Sequence, residues 1–259
     1  MPSVGKTRVD RSGELTRLGA ILKKNRICTD IGPLSRAADQ CKNGGYAAMV
    51  SAKDCWGYYL ERLIFHPEPL GQTVPAGLAN LSVALSVFAE GHCEDPADVR
   101  DPLHRLELNL VVTGTKEAGG TTVQYVCAWH QDRDLGKLGE AHRLVHPLYH
   151  FQFGGKEIWG RENDHGQSLI LESPRFAYPP MDAILAVDFV LTNFYPAAKL
   201  SFREEAEYQR ILGHSHMCFV RPYVLAIAGA WDMGAPGAAW AWNAVWPQLP
   251  AASQRHHLP

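Results

Sequence analysis

The sequence lacks the features that define several large classes of protein. No stretch among its 259 residues reaches the run of about 18 apolar residues that a membrane span requires. Its first segment, MPSVGKTRVDRSGEL, contains no apolar region of the kind found in secretory signals. The 25 basic and 27 acidic residues form no long run of either sign, so the charge indicates neither a nucleic acid nor an anionic membrane as partner. We therefore expect a cytoplasmic protein.

Familiar catalytic signatures are missing as well. The six cysteines include no C-x-x-C pair, which argues against a disulfide framework and against a zinc site made of thiolates. Neither G-x-S-x-G nor H-E-x-x-H occurs. GKT at residues 5–7 lacks the first glycine of a phosphate-binding loop. An enzyme class therefore has to be inferred from the arrangement of residues along the chain.

The composition and the first part of the chain are those of a globular protein with N-terminal helices. The chain is 46% hydrophobic and 20% charged, which is sufficient for a full buried core. Helical spacing of apolar residues predicts two amphipathic helices, one around Leu15, Leu18 and Leu22 and one around Trp56, Tyr59, Leu60 and Leu63. Residues 75–89 are apolar on nearly every side and predict a buried helix.

From Arg105 the hydrophobic period changes from that of a helix to that of a strand. In RLELNLVV, large apolar residues alternate with polar ones, which is typical of a half-buried antiparallel strand. Further strands are predicted at residues 123–130, in HPLYHFQFGG at 146–155, and in SLILE at 168–172. Four consecutive strands joined by loops favour an antiparallel meander.

After the strands the pattern becomes helical again. The segment from Met181 to Phe194 is almost wholly apolar and predicts a buried helix, with Asp182 capping its first turn. Asp188 within it needs a partner if it is buried, and Arg175 or a histidine of the sheet would supply one. Ser201 and Glu204 have capping-box spacing and predict the start of another helix.

These elements predict an α+β fold. It consists of N-terminal helices, a four-stranded and mainly antiparallel meander, and C-terminal helices packed on one sheet face. The expected regions are a helical region at 1–95, an α+β core at 96–230 and a tryptophan-rich tail at 231–259, within one continuous domain. The tail contains Trp231, Trp240, Trp242 and Trp246, which either pack on the domain or dock a protein partner.

One resemblance to a known group of folds follows from this order of elements. A helix, four strands and a helix over about residues 75–220, with Tyr178-Pro179-Pro180 after the strands, resemble the ubiquitin-conjugating and RWD-like folds. The resemblance implies a non-catalytic adaptor or structural subunit, because no cysteine follows the fourth strand where a conjugating enzyme keeps its nucleophile.

The predicted strands share one polar face. If Leu106, Tyr125 and Phe151 point into the core, the opposite face carries Glu107, Asn109, Gln124, His130, His146, His150 and Gln152. One interpretation is that helices cover the apolar side and water covers this side. The other interpretation is that the face holds a functional site.

Two kinds of chemistry fit a site on this face. His130, His146 and His150 would form a three-histidine set of ligands for zinc or another divalent metal, with a fourth position open to water. Alternatively, His150 would act as a general acid or base without metal, with Arg175 binding an anion at the mouth of the site.

Two function hypotheses follow from these observations. The first is an enzyme of the hydrolase or phosphoryl-transfer class, which uses His150 with His146 and His130 as ligands or as acid and base. The second is the adaptor or structural subunit, which binds another protein through a sheet edge or through the tryptophan-rich tail.

Overall fold

The structure is a computed structural model that describes residues 4–44, 54–68, 77–93, 101–133, 147–154, 158 and 176–230. Several sequence interpretations fall outside these ranges. They are the strand at 168–172, the candidate site residues His146 and Arg175, and the tryptophan-rich tail.

The described chain has helices at both ends and an antiparallel sheet between them. Helices α1 (Val4–Lys24) and α2 (Gly32–Lys42) come first. The strands are β1 (Cys55–Phe65), β2 (Ala79–His92), β3 (Leu103–Ala118), β4 (Thr121–Arg133), β5 (Tyr149–Phe153) and β6 (Phe176–Ala177). They are hydrogen-bonded in sequence order, and every neighbouring pair is antiparallel. Helices α3 (Ala183–Phe194), α4 (Ala206–Ser215) and α5 (Arg221–Ala230) follow.

The α+β class and the antiparallel meander are therefore confirmed, but the sheet has six strands and not four. The two additional strands at its start, β1 and β2, replace the helices predicted around Trp56 and over residues 75–89. The helix with which the resemblance to the ubiquitin-conjugating and RWD-like folds began is thus a strand.

A β-bulge explains why β1 has the hydrophobic spacing of a helix. The register of β1 with β2 shifts between Leu60 and Leu63, and Arg62 within the bulge has a positive φ of 50°. The extra residue lets Leu60 and Leu63 face the same side although they are three positions apart. An interval of three, which is typical of a helix, arises here within a strand.

Strand β2 alternates large and small residues. Leu81, Val83, Leu85 and Val87 are buried in the core, whereas Ser82, Ala84 and Ser86 between them are half-buried on the other face. Counting alanine as apolar concealed this period of two, so the segment looked apolar on all sides.

One face of the sheet is covered by helices and forms the core. The inward residues of β3, Leu106, Leu108, Leu110 and Val112, are buried in one apolar cluster with residues from all five helices. Direct contacts join the two layers: Ala183 donates its backbone N–H to Tyr58 Oη at 3.0 Å, and the rings of Phe151 and Phe189 are 5.7 Å apart. This is the face that the alternation in RLELNLVV predicted.

The C-terminal helices confirm one sequence prediction and correct two. Asp182 caps α3, since its Oδ1 accepts from the backbone N–H groups of Ile184 and Leu185 at 3.1 and 3.0 Å. The partners of Asp188 are Arg203 and Tyr208, at 2.8 Å each, and not a sheet histidine. Residues Ser201–Glu204 form a 3₁₀ turn without a side-chain cap, and α4 begins later.

Within the described ranges, no helix combines the length and the apolar character that a membrane crossing would need.

Candidate metal centre

The candidate centre lies on the sheet face that the helices do not cover. Strands β3, β4 and β5 are neighbours there, and their registers align two rows of polar residues. One row is Glu107, Asp132 and His150, and the next row is Asn109, His130 and Gln152. Residues that pair across antiparallel strands share a face, so all six side chains project to the same side.

Three of these six side chains bring their ligand atoms together. His150 Nε2 lies 2.6 Å from Asp132 Oδ1, and His130 Nε2 lies 3.9 Å from Asp132 Oδ2. The candidate ligand atoms of His130, Asp132 and His150 all lie within 4.8 Å of one another. The two histidine rings are 6.1 Å apart and nearly perpendicular, at 77°. We call these three residues the sheet cluster.

The sheet cluster is buried at one side and open at the other. The side chain of His150 is 4% exposed, that of His130 is 18% exposed and that of Asp132 is 38% exposed. The sequence interpretation of a water-covered face is therefore wrong at His150. Asp132 is therefore the most exposed member of the sheet cluster.

The contacts of His150 bear on the choice between metal binding and acid–base catalysis. Its Nδ1 lies 3.3 Å from the carbonyl oxygen of Pro147, and its Nε2 faces the Asp132 carboxylate. Both neighbours are acceptors, whereas a neutral imidazole has only one N–H to donate. One N–H cannot serve both acceptors, and a metal ion between Nε2 and the carboxylate would satisfy the second one.

A role of His150 as general acid or base fits this geometry poorly. In a catalytic dyad the carboxylate holds Nδ1 of the histidine and leaves Nε2 for the substrate. Here the carboxylate is at Nε2 and a backbone carbonyl is at Nδ1, so both nitrogens are engaged. A ligand histidine usually donates its other ring N–H to a carbonyl or carboxylate, which is the arrangement that Pro147 offers.

Two histidines and one carboxylate are a suitable ligand set for a divalent transition metal. Zinc binds imidazole nitrogen and carboxylate oxygen at about 2.0–2.2 Å, and catalytic sites leave the fourth position open. The same set with several open positions is used by non-haem iron. A tetrahedral ion would separate its ligand atoms by roughly 3.3 Å, so His150 Nε2 and Asp132 Oδ1 need to move apart by less than an ångström from 2.6 Å.

A buried amide next to the sheet cluster favours the presence of a metal ion or a water molecule in the cluster. Gln152 pairs with His130 across β4 and β5 and is 4% exposed. Within the described part of the chain its Oε1 is buried without a hydrogen-bond partner. A buried acceptor without a partner is destabilising. A metal ion, or a water molecule bound to one, would provide the missing contact.

The charges around the sheet cluster are largely balanced. Glu107 accepts a hydrogen bond from Arg105 Nε at 2.8 Å, and the Arg105 guanidinium stacks on Phe88 at 4.5 Å. Burial raises the pKa of the neighbouring Glu90, while the charge of Arg105 opposes this shift. Glu107 is thus held by an arginine, and Asp132 supplies the negative charge that faces the two histidines.

Sequence reasoning identified two members of the sheet cluster and missed the third. His130 and His150 were predicted on a shared face, and the structure brings them together. His146 and Arg175 lie outside the described residues, so their roles stay predictions. Asp132 was missed because the predicted strand ended at His130, although a residue two positions further along a strand shares its face.

Comparisons of the chain with protein-family models, with curated proteins and with solved structures give no significant match. The geometry of the site therefore carries the functional argument.

Proposed function

We propose that the protein is a metal-dependent enzyme of the hydrolase or phosphoryl-transfer class, with its divalent ion held by His130, Asp132 and His150. The observation that carries this proposal is the convergence of the three ligand atoms within 4.8 Å on three sheet positions. Ladder hydrogen bonds fix the two strands that bear these side chains, and such positioning favours precise coordination.

A divalent ion at this position would polarise a carbonyl or phosphoryl oxygen, or activate water as a nucleophile. The protein would contribute the shape of the site. His150 would be oriented by the Pro147 carbonyl, and Gln152 would accept a hydrogen bond from a group at the open positions. Substrate would approach from the exposed side at Asp132.

The proposal is tested by elemental analysis of protein purified without a histidine tag. We expect one zinc or other transition-metal ion per chain, or stoichiometric uptake after removal of metal with a chelator and titration with zinc. Binding should raise the melting temperature, because free ion at 100 times its Kd stabilises the folded state by about 2.7 kcal/mol.

Substitution of the ligands separates this site from the free cysteines, which are alternative zinc ligands. Asp132→Asn and His150→Ala should abolish uptake, whereas Cys127→Ser should not change it. Uptake by the wild type that persists in both ligand variants, or no uptake at all, would contradict the proposal.

The adaptor hypothesis stays a prediction, with one feature in its favour. An apolar cavity of about 280 Å³ lies on the helix-covered face between β2, β3 and β4, and its lining includes Leu81, Cys127 and Trp129. Tyr125 at its mouth is 49% exposed. Such a cavity suits an apolar side chain of a partner. Failure of metal binding would make the adaptor the better hypothesis.

A further inference from the structure

A second group of titratable side chains lies on the opposite side of the sheet, where α1 packs against α4. Glu14 of α1 is a buried carboxylate, and its Oε1 is 2.8 Å from His214 Nδ1. The other ring nitrogen, His214 Nε2, contacts Cys218 Sγ at 3.5 Å. Carboxylate, imidazole and sulfur are thus connected in series. We call Glu14, His214 and Cys218 the helix cluster.

This order of groups is that of a cysteine nucleophile with its base and orienting residue. The orienting carboxylate holds Nδ1 and thereby directs Nε2 at the sulfur. Cys218 lies in a π-helical turn, His216–Val220, between α4 and α5. Such turns often occur at functional sites.

A simpler explanation of the contact between His214 and Glu14 is that it stabilises the buried carboxylate. Arg210 Nη1 lies 3.6 Å from the same carboxylate oxygen, so Glu14 has two cationic neighbours. Their presence accounts for the contact at Nδ1 of His214. It does not account for the contact of Nε2 with sulfur, which is the contact that chemistry at Cys218 would require.

Two cationic groups lie near the sulfur of Cys218. Hydrogen bonds to Cys218 and to Glu14 raise the pKa of His214 to about 10, so the imidazole carries a proton at neutral pH. Burial opposes the charge of the nearby Arg11, but the acidic groups around it outweigh burial and raise its pKa. A protonated imidazole beside a sulfur is one of the surroundings in which reactive cysteines occur.

The other five cysteines have surroundings of the opposite kind. Burial raises the pKa of Cys28 and of Cys41 to about 12, and that of Cys127 to about 11. Burial also raises the pKa of Cys55 and of Cys93. These five thiols stay protonated at neutral pH and should be unreactive.

We propose that Cys218, His214 and Glu14 form a second reactive site, in which the Cys218 thiolate attacks small electrophiles of the peroxide class. The size limit follows from burial, since Cys218 is only 5% exposed and an extended substrate has little access to its sulfur. With hydrogen peroxide, a bond forms between sulfur and the near oxygen while the O–O bond breaks. The leaving hydroxide takes the proton from His214 and departs as water, and Cys218 becomes a sulfenic acid.

The test compares Cys218 with Cys127 in the folded, full-length chain. Cys127 is the more exposed of the two, so exposure alone predicts that it reacts first, whereas the contact with His214 predicts that Cys218 reacts first. Labelling with iodoacetamide at pH 7, quantified for each cysteine by peptide mass spectrometry, measures both rates. A pulse of hydrogen peroxide followed by dimedone should then place the sulfenic acid at Cys218.

Two variants establish the role of the neighbours. His214→Gln keeps a polar side chain but removes the cation, and Glu14→Gln weakens the hold on the imidazole. Each should slow labelling of Cys218 by about tenfold or more, because the cation beside the sulfur is removed or held less firmly, while the rate at Cys127 stays constant. Circular dichroism would show that both variants are folded.

The proposal is overturned if Cys127 is labelled faster than Cys218, or if Cys218 reacts only after unfolding. It is also overturned if a folded His214→Gln variant labels Cys218 at the wild-type rate, since His214 would then only neutralise Glu14.

Discussion

The sheet cluster and the helix cluster both place a histidine against a carboxylate, but they differ in what faces the other ring nitrogen. In the sheet cluster it is the carbonyl of Pro147, with a second histidine beside the carboxylate. In the helix cluster it is the sulfur of Cys218. The first arrangement is typical of metal ligands, and the second is typical of a nucleophile and its base. The group opposite the carboxylate therefore decides which chemistry each histidine supports.

The two clusters also differ in how the backbone positions them. Neighbouring strands place paired residues side by side at about 5 Å, so three positions on β4 and β5 converge on one face. The helix cluster combines a spacing of four along one helical segment, His214 and Cys218, with Glu14, which is far away in the sequence.

Asp132→Asn should have the largest effect and should affect only the sheet cluster. Loss of the carboxylate is expected to weaken zinc binding by about 100-fold or more, at least as much as the loss of a group that hydrogen-bonds to a ligand. Isothermal titration calorimetry with zinc measures the change. Glu107→Gln is the matched control, because it removes one negative charge from the adjacent position in the same row.

The two variants should leave the labelling rate of Cys218 at its wild-type value. Equal loss of zinc affinity in Asp132→Asn and Glu107→Gln would show that general negative charge, and not a ligand, holds the ion.

Gln152→Met should have an intermediate effect: it should stabilise the metal-free protein and weaken the binding of metal. Without metal, removal of the buried Oε1 should raise the free energy of unfolding by roughly 1 kcal/mol, because an unsatisfied acceptor is no longer buried. With metal, affinity should fall by about tenfold. Urea denaturation with and without zinc measures both. A variant that is destabilised without metal would mean that Gln152 has a structural partner.

The pH dependence of the helix cluster should give the smallest effect. The pKa of His214 is raised to about 10 from 6.5, so folding takes up a proton at intermediate pH. The resulting stabilisation is complete below pH 6.5 and disappears as pH rises through 10. Thermal denaturation of the wild type and of His214→Gln should therefore give melting temperatures that converge by a few degrees between pH 7 and pH 10.

Glu14 and Cys218 contact the two ring nitrogens of His214, and Arg210 contacts the same oxygen of Glu14. A difference in melting temperature that is independent of pH would show that the charge of His214 does not contribute to stability.

The sequence predicted which residues share the polar face of the sheet, but not how deeply they are buried. A period of two placed His130 and His150 together because side-chain direction along a strand depends only on local geometry. The burial of His150 depends on parts of the chain distant in sequence, which periodicity does not address. Asp132 was within reach of the same rule and was missed only because the strand was ended too early.

The helix cluster shows a second limit of sequence-based prediction, which concerns contacts between helices. The spacing of His214 and Cys218 is visible in the sequence, and it predicts adjacent side chains on a helix. The third member, Glu14, meets them only because α1 packs against α4. Contacts between helices depend on the tertiary fold, so no local pattern could have assigned this carboxylate.

The first strand of the sheet was missed for a related reason. The spacing of Leu60 and Leu63 reflects a bulge, and a bulge is set by pairing with β2 rather than by the sequence of β1 alone.

X-ray absorption spectroscopy of the zinc-loaded protein tests the central claim most directly, because it reports the atoms that bind the ion. We predict a first shell of nitrogen and oxygen at about 2.0–2.2 Å, with the outer-shell scattering of two imidazoles and no sulfur. A shell of sulfur at about 2.3 Å would place the ion on cysteines and contradict the assignment of His130, Asp132 and His150 as its ligands.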